Sequence, residues 1–192
     1  MTVAGLVLAA GEGRRLGGPK ALLEIDGERL VDRAVRVLQE TGCSPVYVVA
    51  GAAPLADVPG QASGSVVVVD NPDWATGMGS SVRRGLASVA EDAVVIMVVD
   101  TPRIGAQAVR RLVEAHAGGA SAAVATYDGA PRNPVLLTRE HFADASALAV
   151  GDVGARAFLA ARPDVVTALE CSDVADPSDI DTLEELRAAR GC

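Results

Sequence analysis

Short runs of apolar, largely β-branched residues recur at 3–9, 45–50, 65–70, 94–99 and 122–126, with little of the polar alternation of a half-exposed strand. Strands that are apolar nearly throughout are covered on both faces, as in parallel sheets. Amphipathic stretches lie between them. Residues 30–41 place Leu30, Ala34, Val37 and Leu38 on one helical stripe and stop at Gly42; 78–89 and 106–117 repeat the pattern, the latter ending at Gly118-Gly119. Strand followed by helix, several times over, predicts right-handed βαβ crossovers and a three-layer α/β/α arrangement around a mostly parallel sheet. Later the pattern is broken by Pro131, Pro134, Gly151 and Gly154. There the sequence predicts an antiparallel strand at 134–137, helices at 152–161 and 180–189, and a strand at 165–169. No repeat or linker divides the 192 residues, which read as one domain, 1–192.

Charge and composition exclude several functions. Seventeen basic against 25 acidic residues leave a net charge of −8, a surface that repels nucleic acid and anionic lipid. Aromatics are only 3%, too few for base-stacking platforms. The longest apolar stretch, 93–99, is too short to cross a bilayer, and the first residues lack the basic region of a signal peptide. Cys43, Cys171 and Cys192 are scattered without C-x-x-C spacing, as in a reducing compartment and unlike a zinc ribbon. His116 and His141 read as ordinary surface or helix-end residues, and no nucleophile elbow is present. The expectation is a soluble, cytoplasmic protein with no nucleic-acid or membrane partner.

Ligands of open parallel sheets sit outside the carboxyl ends of strands, which directs attention to the loops after Ala9, Asp70 and Val99. The first reads Leu8-Ala9-Ala10-Gly11-Glu12-Gly13-Arg14-Arg15-Leu16-Gly17-Gly18-Pro19-Lys20. Four glycines let backbone N–H groups converge on an anion, and Arg14, Arg15 and Lys20 add positive charge. A dinucleotide fingerprint fails at Leu16, and a P-loop fails at Pro19 and Ala21. A phosphate cradle of another kind and a plain glycine-rich turn with solvated arginines both fit the residues, and position at a strand end favours the cradle. The second loop, Asn71-Pro72-Asp73-Trp74-Ala75-Thr76-Gly77-Met78-Gly79-Ser80-Ser81, opens a helix. Its hydroxyls read as ligand contacts or as a serine N-cap, with Trp74 and Met78 plugging the core. Asp100 ends a buried strand, where it can hold a divalent ion or cap a turn. Asp176-Pro177-Ser178-Asp179-Ile180-Asp181 precedes the last predicted helix, as a second carboxylate source or a helix-dipole feature. Asn133-Pro134 and Gly151-Asp152-Val153-Gly154-Ala155-Arg156 complete the set.

These segments, which follow the family's order over essentially the whole chain, resemble the MobA-like NTP transferases. They are most similar to the molybdenum cofactor cytidylyltransferase (MocA-like) branch. The resemblance implies a Rossmann-like fold of the nucleotide-diphospho-sugar transferase (GT-A) type. It implies that Leu8, Ala9, Ala10, Gly11, Gly13, Arg15 and Lys20 wrap an NTP's triphosphate and that Gly79, Ser80 and Ser81 contact the base or ribose. Asp100, with Asp181 as first choice or Asp179 as second, would hold Mg2+ or Mn2+. Asn133, Asp152 and Arg156 would lie beside a phosphorylated acceptor, and Arg15, Lys20 and Asp100 would carry catalysis. Ala10 in Leu-Ala-Ala-Gly points to CTP. The implied reaction moves CMP from CTP to molybdopterin with release of pyrophosphate, a molybdoenzyme or its chaperone being a further partner. The alternatives are a guanylyltransferase using GTP, a sugar- or polyol-phosphate nucleotidyltransferase, and a nucleotide-binding cofactor chaperone. Ala130, Pro131 and Arg132 depart from the family's turn, and Leu183 replaces its helix-starting proline.

Overall fold

A computed structural model describes residues 2–190; Cys192 lies outside the described residues. The strands are β1 (Val3–Leu8), β2 (Glu24–Ile25), β3 (Glu28–Arg29), β4 (Val46–Ala50), β5 (Val66–Asp70), β6 (Ala93–Val98), β7 (Ala122–Tyr127), β8 (Ala130–Thr138) and β9 (Val166–Glu170). The α-helices are α1 (Leu30–Glu40), α2 (Met78–Ser88), α3 (Ala106–Ala117), α4 (Phe142–Leu148), α5 (Arg156–Ala161) and α6 (Leu183–Ala189). Seven strands form one sheet in the order β5-β4-β1-β6-β8-β7-β9, and β2 and β3 form a separate small hairpin. β8 runs antiparallel to both β6 and β7, and every other pair in the large sheet is parallel. The predicted three-layer, mostly parallel α/β/α fold is therefore the one observed, antiparallel strand included.

The pleat sorts each strand between two cores. From β1, Val7 joins α1, α3 and α6 on one face, while Ala4, Leu6 and Leu8 join α2, α4 and α5 on the other. β6 divides likewise, Val95 and Met97 against Val94, Ile96 and Val98. This double coverage explains why those strands carry no polar alternation. After β1 the chain moves outward to β4 and β5, then returns through α2 to place β6 on β1's other side. The strand order thus reverses at β1, which places a crevice at its carboxyl end.

The structure differs from sequence expectation where local chemistry overrides periodicity. The helix expected over 152–161 starts only at Arg156, because Gly151 (φ 57°) and Gly154 (φ 59°) hold left-handed turns. Asp152 therefore sits in a loop rather than one turn before Arg156. The helix expected from 180 starts at Leu183, where Thr182 accepts from the Glu185 N–H and the Glu185 carboxylate accepts from the Thr182 N–H. This capping box supplies the start that the missing proline would otherwise favour. β8 begins four residues earlier than expected, at Ala130, since Asp128 (φ 51°) and Gly129 (φ 78°) make the tight turn typical of hairpins. Helix α4 and the β2–β3 hairpin are absent from the sequence reading. Glu170, ending β9, pins the β7–β8 turn: its carboxylate accepts from the Thr126 and Ser172 hydroxyls and from the Asp128, Gly129 and Ser172 N–H groups. These bonds, led by those from Ser172, hold its pKa down to about 2.

Cys43 and Cys171 are buried and unbridged, and among the described residues no helix is long and apolar enough to cross a membrane. His116 and His141 are both buried, His141 lying 5.2 Å from the Phe158 ring centroid, and His116 sits in the last turn of α3, so the helix-end reading holds for it and the surface one does not. Phe158, fully buried, is the anchor of the short helix α5. Phe158→Ala should lower unfolding free energy by about 3–5 kcal/mol, and Thr182→Ala by about 1 kcal/mol. Urea unfolding followed by circular dichroism measures both, and a Thr182→Ala loss as large as that of Phe158→Ala would contradict this ranking.

Candidate active site

The loop after β1 closes on itself. The Lys20 N–H donates to the Gly11 carbonyl at 3.3 Å and the Leu16 N–H to that of Gly13 at 2.8 Å. Gly13 takes φ 62°, and a Cβ there would lie 2.1 Å from the Gly18 carbonyl oxygen, so only glycine fits. Among the described residues the N–H groups of Gly11, Glu12 and Gly13 donate to no backbone carbonyl, and Gly11 and Glu12 line the crevice. Arg14 is spent on Glu12 at 2.7 Å.

Lys20 turns inward from this loop. Its Nζ donates to Asp100 Oδ2 at 2.7 Å and to Asp181 Oδ1 at 2.5 Å. Asp100 follows β6, Asp181 precedes α6, and the Ile180 N–H donates to the Asp100 carbonyl at 2.8 Å, so the two carboxylates are tied together by backbone as well. Arg15, largely exposed, reaches Asp181 at 3.5 Å. Burial pulls the Lys20 pKa down, but Asp100 and Asp181 outweigh it and hold the ammonium above the ordinary lysine value. The Asp181 carboxyl is held below the usual aspartate value, chiefly by the Lys20 hydrogen bond.

Two cavities meet at this cluster. One, of about 290 Å3, is lined by Ala10, Gly11, Lys20, Trp74, Ser81 and Asp100 among others. The second, of about 170 Å3, is lined by Asn133, Arg156, Arg132 and Asp179. Leu8, Met78, Val98, Asp100 and Asp152 belong to both linings, so the cavities form one crevice with Asp100 at its middle. Asp152 also accepts from the Met78 N–H at 3.4 Å, across the start of α2. Asn133 reaches the second cavity from an irregularity in β8: Val135 pairs with Val124 and Arg132 with Ala125, leaving Asn133 and Pro134 without partners on β7.

Not every expected residue faces the crevice. Ala9 is buried beneath the loop, and Gly13 and Arg15 lie outside the cavity linings. At the start of α2, the Gly79 N–H donates to the Gly151 carbonyl at 2.7 Å, and a Cβ on Gly79 would meet the Ala149 carbonyl oxygen at 2.5 Å; its role is close packing. Ser80 is buried, donating to the Gly77 carbonyl and accepting from Asn71 Nδ2. Ser81, also held by Asn71, is the one of the three that lines the crevice. The N-cap itself is Gly77, with no side-chain cap. Trp74 and Met78, which the alternative N-cap reading makes core plugs, line the cavity wall.

Among the described residues no three His, Cys, Asp or Glu side chains gather into a metal cage. The donors present nevertheless fit a small divalent ion. Asp100 and Asp181 offer hard carboxylate oxygens to one shared positive centre, and Mg2+ or Mn2+ takes one or two carboxylates with substrate phosphates and water. Asp179 faces the second cavity, away from the Lys20 contact.

Residues 5–166 match the family described as the MobA-like NTP transferase domain. The chain is 37% identical over 96% of its length to nicotine blue oxidoreductase of Paenarthrobacter nicotinovorans, 94% of which is covered. It is 31% identical over 74% of its length to a probable molybdenum cofactor guanylyltransferase of Mycobacterium bovis, 70% of which is covered. Its fold matches a crystal structure of Rv0371c from Mycobacterium tuberculosis in complex with manganese, with a TM-score of 0.75, 24% identity, and coverage of 100% of this chain and 99% of that one. The fold is a mostly parallel α/β/α sheet in which β1 feeds a glycine loop, with a lysine and two carboxylates at the crevice beside it. The chain belongs to the MobA-like NTP transferase family, a family of nucleotidyltransferase enzymes.

Asp181 makes the stability of the fold depend on pH. Because the folded pKa lies below the usual value of about 3.9, the stabilisation it gives is complete above that value and is lost as pH falls through the folded pKa. In Lys20→Met the chief cause disappears, so the Asp181 carboxyl should titrate higher than in the parent. Carboxyl 13C NMR measures it; an unchanged titration would refute the pairing.

Proposed function

We propose that the protein transfers CMP from CTP to a phosphorylated acceptor, molybdopterin, with release of pyrophosphate. The observation that carries this reading is the Lys20 ammonium shared by Asp100 and Asp181 where the two cavities meet beneath the glycine loop. The triphosphate lies under Gly11 to Gly13 and Lys20, with the base between Ala10, Trp74 and Ser81. The acceptor occupies the side of Asn133, Asp152 and Arg156. An acceptor phosphate oxygen attacks the α-phosphorus in line, the new P–O bond forms, and the bond to the β-phosphate oxygen breaks as pyrophosphate leaves with the electron pair.

No enzyme nucleophile is required. Lys20 offsets charge developing on the phosphates, Arg15 adds a second cation at the loop's rim, and the crevice walls align the reactants. Asp100 and Asp181 would hold Mg2+ or Mn2+, which when bound supplies Lewis-acid neutralisation of phosphate charge. CTP is favoured by Ala10, which lines the nucleotide cavity. GTP and a sugar- or polyol-phosphate acceptor are the alternatives within this chemistry, GTP being favoured by the guanylyltransferase relative. We assign the whole chain, 1–192, to one cytoplasmic transferase domain, with a molybdoenzyme or its chaperone receiving the product.

A second reading follows from the 37% identity to a protein named an oxidoreductase. A cradle that holds a triphosphate can also hold the pyrophosphate of a nicotinamide dinucleotide. Pyrophosphate release from each of the four NTPs with magnesium, with and without molybdopterin, is expected only with CTP and acceptor together. Oxidation of NADH or NADPH by a dye without pyrophosphate release would establish the second reading, and CTP binding without turnover a chaperone. Lys20→Ala should reduce transfer by at least about 100-fold while the circular dichroism spectrum persists; an active Lys20→Ala enzyme would overturn the mechanism.

A further inference from the structure

The crevice does not end at the acceptor cavity. A third cavity, of about 410 Å3, lies beyond it, between the loop after Asp100, the 177–180 segment and α6. Arg132, Pro177 and Asp179 belong to the linings of both the acceptor cavity and this third one. The sequence of compartments is therefore fixed. The nucleotide cavity meets the acceptor cavity at Asp100 and Asp152, and the acceptor cavity meets the third at Arg132. Arg132 lines the second and third cavities and no wall of the first.

Arg132 is exposed and has neither a hydrogen-bond nor an ion-pair partner among the described residues. Arg103, which shares the third cavity, is already committed to Asp176 at 3.2 Å. The Arg132 backbone is paired with Ala125 of β7, so its guanidinium rises from a strand rather than a loose loop. A guanidinium that rises from a strand and lines a cavity without being paired to the Asp179 or Glu185 carboxylates that share it is suited to bind a planar or tetrahedral oxyanion.

We propose that Arg132 is a specificity-determining residue that binds a second anionic group at the distal end of the acceptor, away from the phosphate that reacts. The acceptor class is thus a molecule with anionic groups at both ends, long enough to run from Asp100 to the mouth of the third cavity. This rests on the transferase reading for which end reacts, but the binding at Arg132 is measurable without turnover.

Calorimetric titration with 1,6-hexanediol bisphosphate and with hexyl phosphate tests it, in the parent chain, Arg132→Ala, Arg132→Lys and Arg110→Ala. Arg110 is an exposed helix residue that lines none of the three cavities, and its removal makes the same change in net charge. The parent should bind the bisphosphate at least about tenfold more tightly than the monophosphate, the size of effect one charge-assisted hydrogen bond provides. Arg132→Ala should abolish that preference and leave hexyl phosphate binding unchanged, Arg132→Lys should keep part of it, and Arg110→Ala all of it. Equal preference in the parent and Arg132→Ala, equal loss in Arg110→Ala, or no binding of the bisphosphate would overturn the proposal. Fluorescence of Trp74, the chain's single tryptophan and a wall of the nucleotide cavity, is read in parallel with CTP and magnesium. No response there counts against the transferase reading and leaves the Arg132 result to stand by itself.

Discussion

One ammonium group joins the three parts of the chain that make the crevice. Lys20 belongs to the first loop, Asp100 follows the sixth strand 80 residues later, and Asp181 precedes the last helix, 161 residues from the lysine. A half-buried cation with two carboxylates is strongly held only if both stay in place, and leaving either carboxylate without it would be costly. The glycine loop, the β6 end and the α6 entry are therefore positioned against each other by charge as much as by apolar packing. Asp100 belongs to the wall that the two cavities share and Lys20 to that of the first, so the structural tie stands beside the proposed chemistry.

The sheet's topology creates the room. Reversal of strand order at β1 leaves the carboxyl ends of β1 and β6 side by side with no crossover between them. Insertion of antiparallel β8 next to β6 then brings a hairpin into the same region, and its unpaired Asn133-Pro134 stretch supplies one wall. The loop from 149 to 154 supplies another through the backbone contact between Gly151 and Gly79. The first cavity is thus built mostly from the first half of the chain and the second mostly from the second half, with Leu8, Met78, Val98, Asp100 and Asp152 common to both.

Much of this was legible in the residues. Buried parallel strands announce themselves because both faces are apolar, and the first loop because glycines and cations cluster at a strand end. Asp100 and Asp181 were legible as carboxylates in the right places, but their convergence on Lys20 was not, since periodicity carries no information across 161 positions. Ser80 and Gly79 looked like ligand contacts; tertiary packing decided otherwise, Asn71 taking the Ser80 hydroxyl and the 149–151 backbone the space above Gly79. Helix α4 escaped because its seven residues are too few to show a 3.6-residue period. The Asp128-Gly129 hairpin turn was visible in principle, as a short-range signal that the neighbouring prolines obscured.

The carboxylate of Glu170 gives the β7–β8 hairpin a property of its own. It gathers five donors at the tip of the hairpin that carries Arg132 and Asn133, and stays ionised down to about pH 2. Across the range in which living cells operate, this clasp has no protonation state to change. Acidification that alters the charge of a bound phosphate, whose second pKa is near 6, would therefore act on the ligand while the frame that receives it keeps its shape.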